Sequence, residues 1–276
     1  MASPQTYLIN GDFNQTISPL DRGFTYGDGV FRTMLIRHGV PESWPLHYQK
    51  LVADCAAIGI VCPSAELLMS DLQQLFPLTP LPETEVAKII ISRGEGARGY
   101  APPAITLPTR VVIKSSARVY AAESYSMGVN LHLCDTRLAY QAKLAGIKHL
   151  NRLENVIARM EWRDEHVFDG VLMDLSGNVI ECTMSNIFAR YDNTLITPDL
   201  SHCGVAGITR QRIMGLAKTL DFNFSVETLP LARLLQADEV IICNSLYGAF
   251  QVHSLNNIKW PQLKLAAIVR KALAYA

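Results

Sequence analysis

The sequence predicts an α+β protein in two unequal parts, and three observations carry that expectation. Strand-like and helix-like runs alternate irregularly, without the steady rhythm of a βαβ fold. A Ser/Ala-rich lapse at 115–128 breaks the apolar pattern about two-fifths of the way along the chain. Apolar residues make up 49% of the 276 positions against 18% charged, ample for a packed core. At about 150 residues per domain this length gives one or two domains. The junction is expected at about 117–124, separating a smaller N-terminal α/β domain, 1–118, from a larger C-terminal domain, 119–276.

Taken in order, YLIN (7–10) and VFRTMLIRHG (30–39) are β-branched and apolar runs bounded by Gly, which predicts strands. Apolar residues at helical spacing predict helices over 46–60 and 65–76. Strands follow at 86–93 and 109–116, and the second part opens with another at 128–134. A helix is expected over 150–165, with Leu150, Leu153, Val156, Ile157 and Met160 forming its buried face. The strand 170–175 turns through Ser176-Gly177-Asn178 into one long strand, 179–190. Further strands are expected at 193–198, 222–229 and 238–245, and helices at 207–220 and 261–273.

Lys+Arg and Asp+Glu both number 25, so the formal charge is zero. A nucleic-acid binder would carry a basic excess and a polybasic membrane binder clustered Lys/Arg; neither is expected here. The six cysteines, at 55, 62, 134, 182, 203 and 243, form no C-x-x-C pair or zinc-like spacing. No metal is therefore predicted. The longest apolar stretch, Ala56 to Cys62, is far shorter than the ~18 residues of a membrane span. The N-terminal residues show no signal-peptide pattern, so a cytoplasmic protein with reduced thiols is expected.

One motif misleads. Gly94-Glu95-Gly96-Ala97-Arg98-Gly99 is a formal G-x-G-x-x-G after a strand, but a dinucleotide fingerprint needs a helix to begin there. Tyr100-Ala101-Pro102-Pro103 follows instead, and the prolines remove amide donors and oppose a helix. A loop is predicted, from which Arg98 and Tyr100 could face a ligand.

Three segments carry candidate chemistry. Lys148 stands just before the helix expected from Leu150, where the helix dipole and burial would both favour its neutral amine; a surface lysine is the alternative. Gly204-Val205-Ala206-Gly207-Ile208-Thr209-Arg210 would aim free amides and the Thr209 hydroxyl at an anion, or be an ordinary capped helix. Glu181 lies in an apolar strand, where a carboxylate needs a partner unless it faces solvent.

Together the segments 21–33, 148–162, 179–188, 197–211 and 236–245 resemble the fold-type IV pyridoxal 5′-phosphate (PLP) enzymes. That family includes branched-chain and D-amino-acid aminotransferases and aminodeoxychorismate lyase, and the match runs in family order over nearly the whole chain. The stretches LAGIKHLNRLE (144–154), GARGY (96–100) and ADEVIICNS (237–245) resemble the lyase branch. The resemblance implies conversion of 4-amino-4-deoxychorismate to 4-aminobenzoate and pyruvate, a step towards folate. It also implies a homodimer, with the cofactor and its Schiff-base lysine in the larger C-terminal domain.

By the same resemblance Lys148 is the Schiff-base lysine and Glu181 the partner of the pyridine nitrogen. Ile208 and Thr209, with Asn244 and Ser245, are expected at the cofactor phosphate. Thr33, Arg98 and Tyr100 are expected on the substrate side. Two positions depart from the family. Where it usually has H-x-x-R-L, this chain has His47-Tyr48-Gln49-Lys50-Leu51, so Lys50 keeps the charge at the phosphate but loses the guanidinium fork. Where it commonly has F-E-T, the chain has Phe31-Arg32-Thr33, and Arg32 is either an added contact for a carboxylate or a surface charge. A fold-type IV aminotransferase acting on branched-chain or D-amino acids remains the alternative, and a PLP-binding scaffold without activity a third.

Overall fold

The computed structural model describes residues 6–79, 84–216, 219–261 and 264–274. The chain divides into two compact units. The first takes the residues up to Arg118 together with Ile147–Asn151, and the second takes Val119–Gly146 and the chain from Arg152 onward.

The first unit runs β1 (Tyr7–Ile9), α1 (Arg22–Tyr26), β2 (Gly29–Arg37), β3 (Val40–Pro41), α2 (Trp44–Ala57), α3 (Ala65–Leu75), β4 (Thr84–Ser92) and β5 (Thr109–Ser116). Its antiparallel sheet has the order β1-β5-β4-β2-β3. Alternation along β2 sends Val30, Met34 and Ile36 into the core, where they join Ile89 and Ile91 of β4, Leu51 of α2 and Leu72 of α3. Each such side chain contributes about 1.5–3 kcal/mol by leaving water. The helix ends follow local chemistry. Asp21 accepts the Gly23 amide at 2.7 Å to start α1, and Gly27 closes it at φ 65°. Ser64 starts α3 by accepting from the Leu67 amide at 3.3 Å. The helix expected to reach residue 60 stops at Ala57, because Gly59 takes φ 69° and the Ile60 amide turns back to the Cys55 carbonyl.

The second unit runs α4 (Ala122–Ser126), β6 (Val129–Leu138), α5 (Leu153–Arg159), β7 (Val167–Asp174), β8 (Asn178–Cys182), β9 (Asn186–Tyr191), β10 (Thr194–Pro198), α6 (Ile208–Leu216), β11 (Asn223–Glu227), β12 (Leu229–Pro230), α7 (Leu231–Leu234), β13 (Glu239–Asn244), β14 (Gly248–Leu255), β15 (Ile258–Lys259) and α8 (Leu265–Ala274). Its mixed sheet has the order β11-β10-β9-β13-β14-β6-β7-β8-β12, with β15 pairing with β14. One core packs Val171, Val179, Ile187, Val240 and Phe250, and a second packs α8 against Phe188 and Ile241. No helix among the described residues is long and apolar enough to cross a membrane.

Three expectations are corrected and one strand is added. The helix placed at 150–165 is only Leu153–Arg159, because residues 148–150 are drawn into extended pairing beside β2. Its apolar stripe is not buried: Leu153, Val156, Ile157 and Met160 are all more than half exposed. The run 179–190 is two strands, since the Cys182 amide bonds the Ser185 carbonyl and buried Asp169 accepts the Thr183 and Ser185 hydroxyls, closing a turn between them. Strand β14, central in the sheet, was not foreseen in the stretch after residue 245. Of the helices expected at 207–220 and 261–273, residues 217–218 and 262–263 lie outside the described residues.

The Gly29 carbonyl accepts the Leu150 amide, which brings the Lys148 segment against β2. A Cβ at Gly29 would stand 2.5 Å from the Ile91 carbonyl oxygen and 2.8 Å from a Leu150 methyl. Gly29→Ala is expected to lower the unfolding free energy by about 1–3 kcal/mol. It should read as a lower denaturant midpoint at unchanged slope. A midpoint equal to that of the parent protein would refute the close packing.

Candidate active site

Lys148 belongs to the first unit, although the chain on both sides of 147–151 belongs to the second. The larger C-terminal domain was expected to hold it, and the reason it does not is backbone pairing. The Phe31 amide donates to the Lys148 carbonyl and the Leu150 amide to the Gly29 carbonyl, both at 2.9 Å, with a bridge between Val30 and His149. The lysine thus stands on an added edge of the sheet, five residues before α5, and not at a helix N-terminus. Its Nζ lies 4.8 Å from the centroid of the Phe31 ring, and so does Nζ of Lys88 on β4. Thr33 pairs across the strands with Lys88, so alternation sets Phe31, Thr33 and Lys88 on one face of the sheet. Sequence reasoning missed Lys88, whose partners become visible only through the strand register.

Arg32 points to the other face, into the core. It is 3% exposed and forms an ion pair with Asp54 of α2, itself 2% exposed. Lys50, one helical turn before, pairs with the same carboxylate. Burial pulls the pKa of both cations down, and the charge of Asp54 opposes that pull. The Lys148 amide donates to Asp54 Oδ2 at 3.3 Å. Arg32 is therefore neither a surface charge nor a bare addition, since its carboxylate is supplied by its own chain. The spacing of Lys50 and Asp54 at i and i+4 was the available signal for this cluster.

The 94–100 stretch starts no helix and runs as an irregular loop. Buried Arg22 holds it, donating from Nη1 to the Gly99 carbonyl and from Nη2 to the Tyr100 carbonyl, each at 2.9 Å. The Tyr26 hydroxyl accepts the Gly99 amide. Arg98 and Tyr100 themselves are exposed, with the Tyr100 ring tilted against Tyr26. The clamp is fixed in turn by Asp28, which receives Arg22 at 2.8 Å and Arg93 at 2.7 and 2.9 Å.

In the second unit Glu181 is 3% exposed on β8 and accepts the Val205 amide at 2.8 Å. Half-buried Arg152 faces it electrostatically, a second positive influence that spacing did not reveal. The neighbouring loop is tightly built. Gly204 has φ 85°, and a Cβ there would come 2.7 Å from Ile180 Cγ2. Gly146 exchanges backbone hydrogen bonds with Gly204 and Ala206, and Asn186 bonds the Val205 carbonyl and the Gly207 amide. This frame delivers Ile208 and Thr209 into the first turn of α6, where amides have no acceptor within the helix. The Thr209 and Ser245 hydroxyls face each other at 3.5 Å. Asn244 instead caps its own turn, accepting from the Leu246 and Tyr247 amides and donating to the Met184 carbonyl. Arg210 is buried beside Thr197 and Pro198, and burial pushes its pKa down.

His132, Cys134 and Glu161 bring potential metal-ligand atoms within 4.8 Å of one another. Glu161 already accepts the Asp135 and Thr136 amides and the Thr136 hydroxyl, so it works as a clamp on an irregular stretch of β6.

Residues 29–255 match the amino-transferase class IV family. An aminodeoxychorismate lyase of Vibrio harveyi is 36% identical over 264 residues, covering 94% of this chain and 96% of that protein. The crystal structure of 4-amino-4-deoxychorismate lyase from Pseudomonas aeruginosa matches with a TM-score of 0.91 at 38% identity, covering 98% of each chain. A hypothetical aminotransferase from Mycobacterium tuberculosis in its PLP-bound form shares the fold, with a TM-score of 0.80 at 19% identity, covering 98% of this chain and 99% of that one.

Burial raises the pKa of Asp28, but hydrogen bonds and charge from Arg93 and Arg22 more than reverse this and leave the carboxyl below its usual value. Its contribution to stability is therefore complete above the unfolded-state pKa and lost as pH falls through the lower folded one. Below about pH 4 the protein should lose stability more steeply than Asp28→Asn, a difference read from urea midpoints along a pH series. Parallel curves would show that the Arg22 clamp does not depend on this charge.

Proposed function

The chain belongs to the amino-transferase class IV family, and from that membership we propose a fold-type IV lyase that uses PLP to convert 4-amino-4-deoxychorismate to 4-aminobenzoate and pyruvate. The observation that carries this reading is a near full-length match to aminodeoxychorismate lyases in both sequence and fold. The reaction is a step in making the 4-aminobenzoate unit of folate.

The residues present fit the cofactor. Glu181 is a buried carboxylate held by a backbone amide, suited to a protonated pyridine nitrogen. A Cβ at Gly207 would meet Asn186 Oδ1 at 2.4 Å, so the backbone entering α6 stays bare, as close approach by a phosphate requires. The Ile208 and Thr209 amides and the Thr209 and Ser245 hydroxyls would hold that phosphate. Asn244 supports them by fixing the turn that carries Ser245. Lys50 belongs to the same proposal as a source of positive charge, although its ion pair with Asp54 sets it apart from a freely mobile cation. The cofactor, when bound, supplies an electron-accepting ring.

Lys148 Nζ is the base that removes the proton from the ring carbon bearing the substrate amine. Loss of that proton lets the enolpyruvyl oxygen leave the adjacent carbon, and aromatisation of the product drives the step. Glu181 would hold a proton on the pyridine nitrogen of a bound cofactor. Thr33 contacts substrate from the Phe31 face of the sheet, and Arg98 and Tyr100 do so from the loop held by Arg22.

A homodimer and a cytoplasmic location are part of the same proposal. Support for the dimer comes from α5, whose apolar residues Leu153, Val156, Ile157 and Met160 stand exposed and would lose contact with water against a second copy.

PLP-loaded protein supplied with 4-amino-4-deoxychorismate and no keto acid should release 4-aminobenzoate and pyruvate in equal amounts. Lys148→Ala should abolish turnover, and Glu181→Gln should slow it by about 10–100-fold while sparing the fold. Turnover that requires a keto acid would move the assignment to an aminotransferase.

A further inference from the structure

We infer that Asp54 is a positioning residue for this chemistry: its carboxylate fixes the main chain of Lys148 and so aims the amine, while Arg32 and Lys50 hold the carboxylate in place. The inference rests on the lysine's assigned role and adds a residue that neither the family match nor sequence spacing assigns.

The geometry is specific. The Lys148 carbonyl and the Leu150 amide are anchored on β2, each at 2.9 Å. The other main-chain polar group of Lys148, its amide, donates away from the strand to Asp54 Oδ2 on α2 at 3.3 Å. Lys148 is thus gripped from two different elements, and a shift of its backbone would break a bond to one or the other. Arg32 reaches the same oxygen, Oδ2, while Lys50 takes Oδ1. The carboxylate therefore has no freedom to rotate away from the amide without breaking an ion pair.

Stability alone is a poor account of this cluster. Replacing a buried ion pair by apolar groups of similar size is often neutral or stabilising. Arg32 and Asp54 are 3% and 2% exposed, and Arg32 Nε is buried with no hydrogen-bond partner. One cation would neutralise Asp54, yet two converge on it. The arrangement is costly as a core and effective as a clamp.

The test uses the PLP-loaded protein, with Arg32→Met/Asp54→Leu compared with Asp54→Asn and the parent. The double variant removes the acceptor and the buried guanidinium together, and Lys50, whose side chain is 20% exposed, can turn its ammonium to water. Its melting temperature should stay within a few degrees of the parent. Hydrogen exchange in the peptide covering 147–151 should accelerate about tenfold or more, with β4 unchanged as the internal control. Its kcat should fall about tenfold with KM within twofold, the signature of a misplaced group and not of weakened binding. Asp54→Asn keeps an acceptor oxygen but strands Arg32, so it should melt earlier and retain more kcat than the double variant.

A double variant with parental exchange at 147–151 and parental kcat would overturn the inference and leave Asp54 a counter-ion only. Borohydride reduction of the PLP-loaded parent, followed by peptide mapping, tests the functional assignment separately. A label on a lysine other than Lys148 would defeat that assignment, while the exchange result would still decide whether Asp54 holds the segment.

Discussion

Two backbone hydrogen bonds, from Phe31 to Lys148 and from Leu150 to Gly29, fix where Lys148 stands in the first unit. They take a short stretch that sequence places ahead of a helix and make it an added edge of the β2 sheet. Side chains then follow from the pleat. The Nζ of Lys148 shares the Phe31 ring with that of Lys88, and the opposite face of β2 sends Arg32 inward to Asp54. An amine held by strand pairing has its position set by ladder geometry, which is stiffer than a loop. This is the property a proton-transfer base requires, because small displacements are expensive in rate.

The second unit solves a different problem, presenting a bare backbone and an acid from a strand-rich scaffold. Glu181 and Asn186 are not adjacent in sequence, yet both spend their polar atoms on the loop 204–207. Small residues make that possible, since side chains at Gly204 or Gly207 would collide with Ile180 or Asn186. The same carboxylate that would meet a cofactor is therefore one of the supports of the turn 204–207. Acid and turn stand or fall as one piece.

Much of this was legible in the sequence. The strands 7–10, 30–39 and 109–116 follow from β-branched runs, the glycine-rich helix start from its composition, and the family from several motifs in order. What escaped depended on partners distant in the chain. The amphipathic run after Leu150 has the right spacing for a helix, but pairing with β2 took its first turn, and spacing cannot tell a stripe that faces its own core from one that faces outward. The break at 183–185 was hidden because Asp169, which closes the turn, lies on another strand. The sequence around Arg32 names no partner for it, and only the position of α2 supplies one.

The shared carboxylate also shapes how this protein can vary over generations. Positions 32, 50 and 54 carry charges that satisfy one another, two of them buried, so a change at one bears on the other two. A lone change at Asp54 leaves two cations facing each other, and a lone change of Arg32 to an acid sets it against Asp54. Either intermediate would carry an uncompensated buried charge, a cost of several kcal/mol. The arginine at 32 and lysine at 50 are thus a self-consistent pair around Asp54, and single substitutions at these positions are harder to accept than paired ones. Ancestral lineages of this enzyme should show the three positions switching in concert.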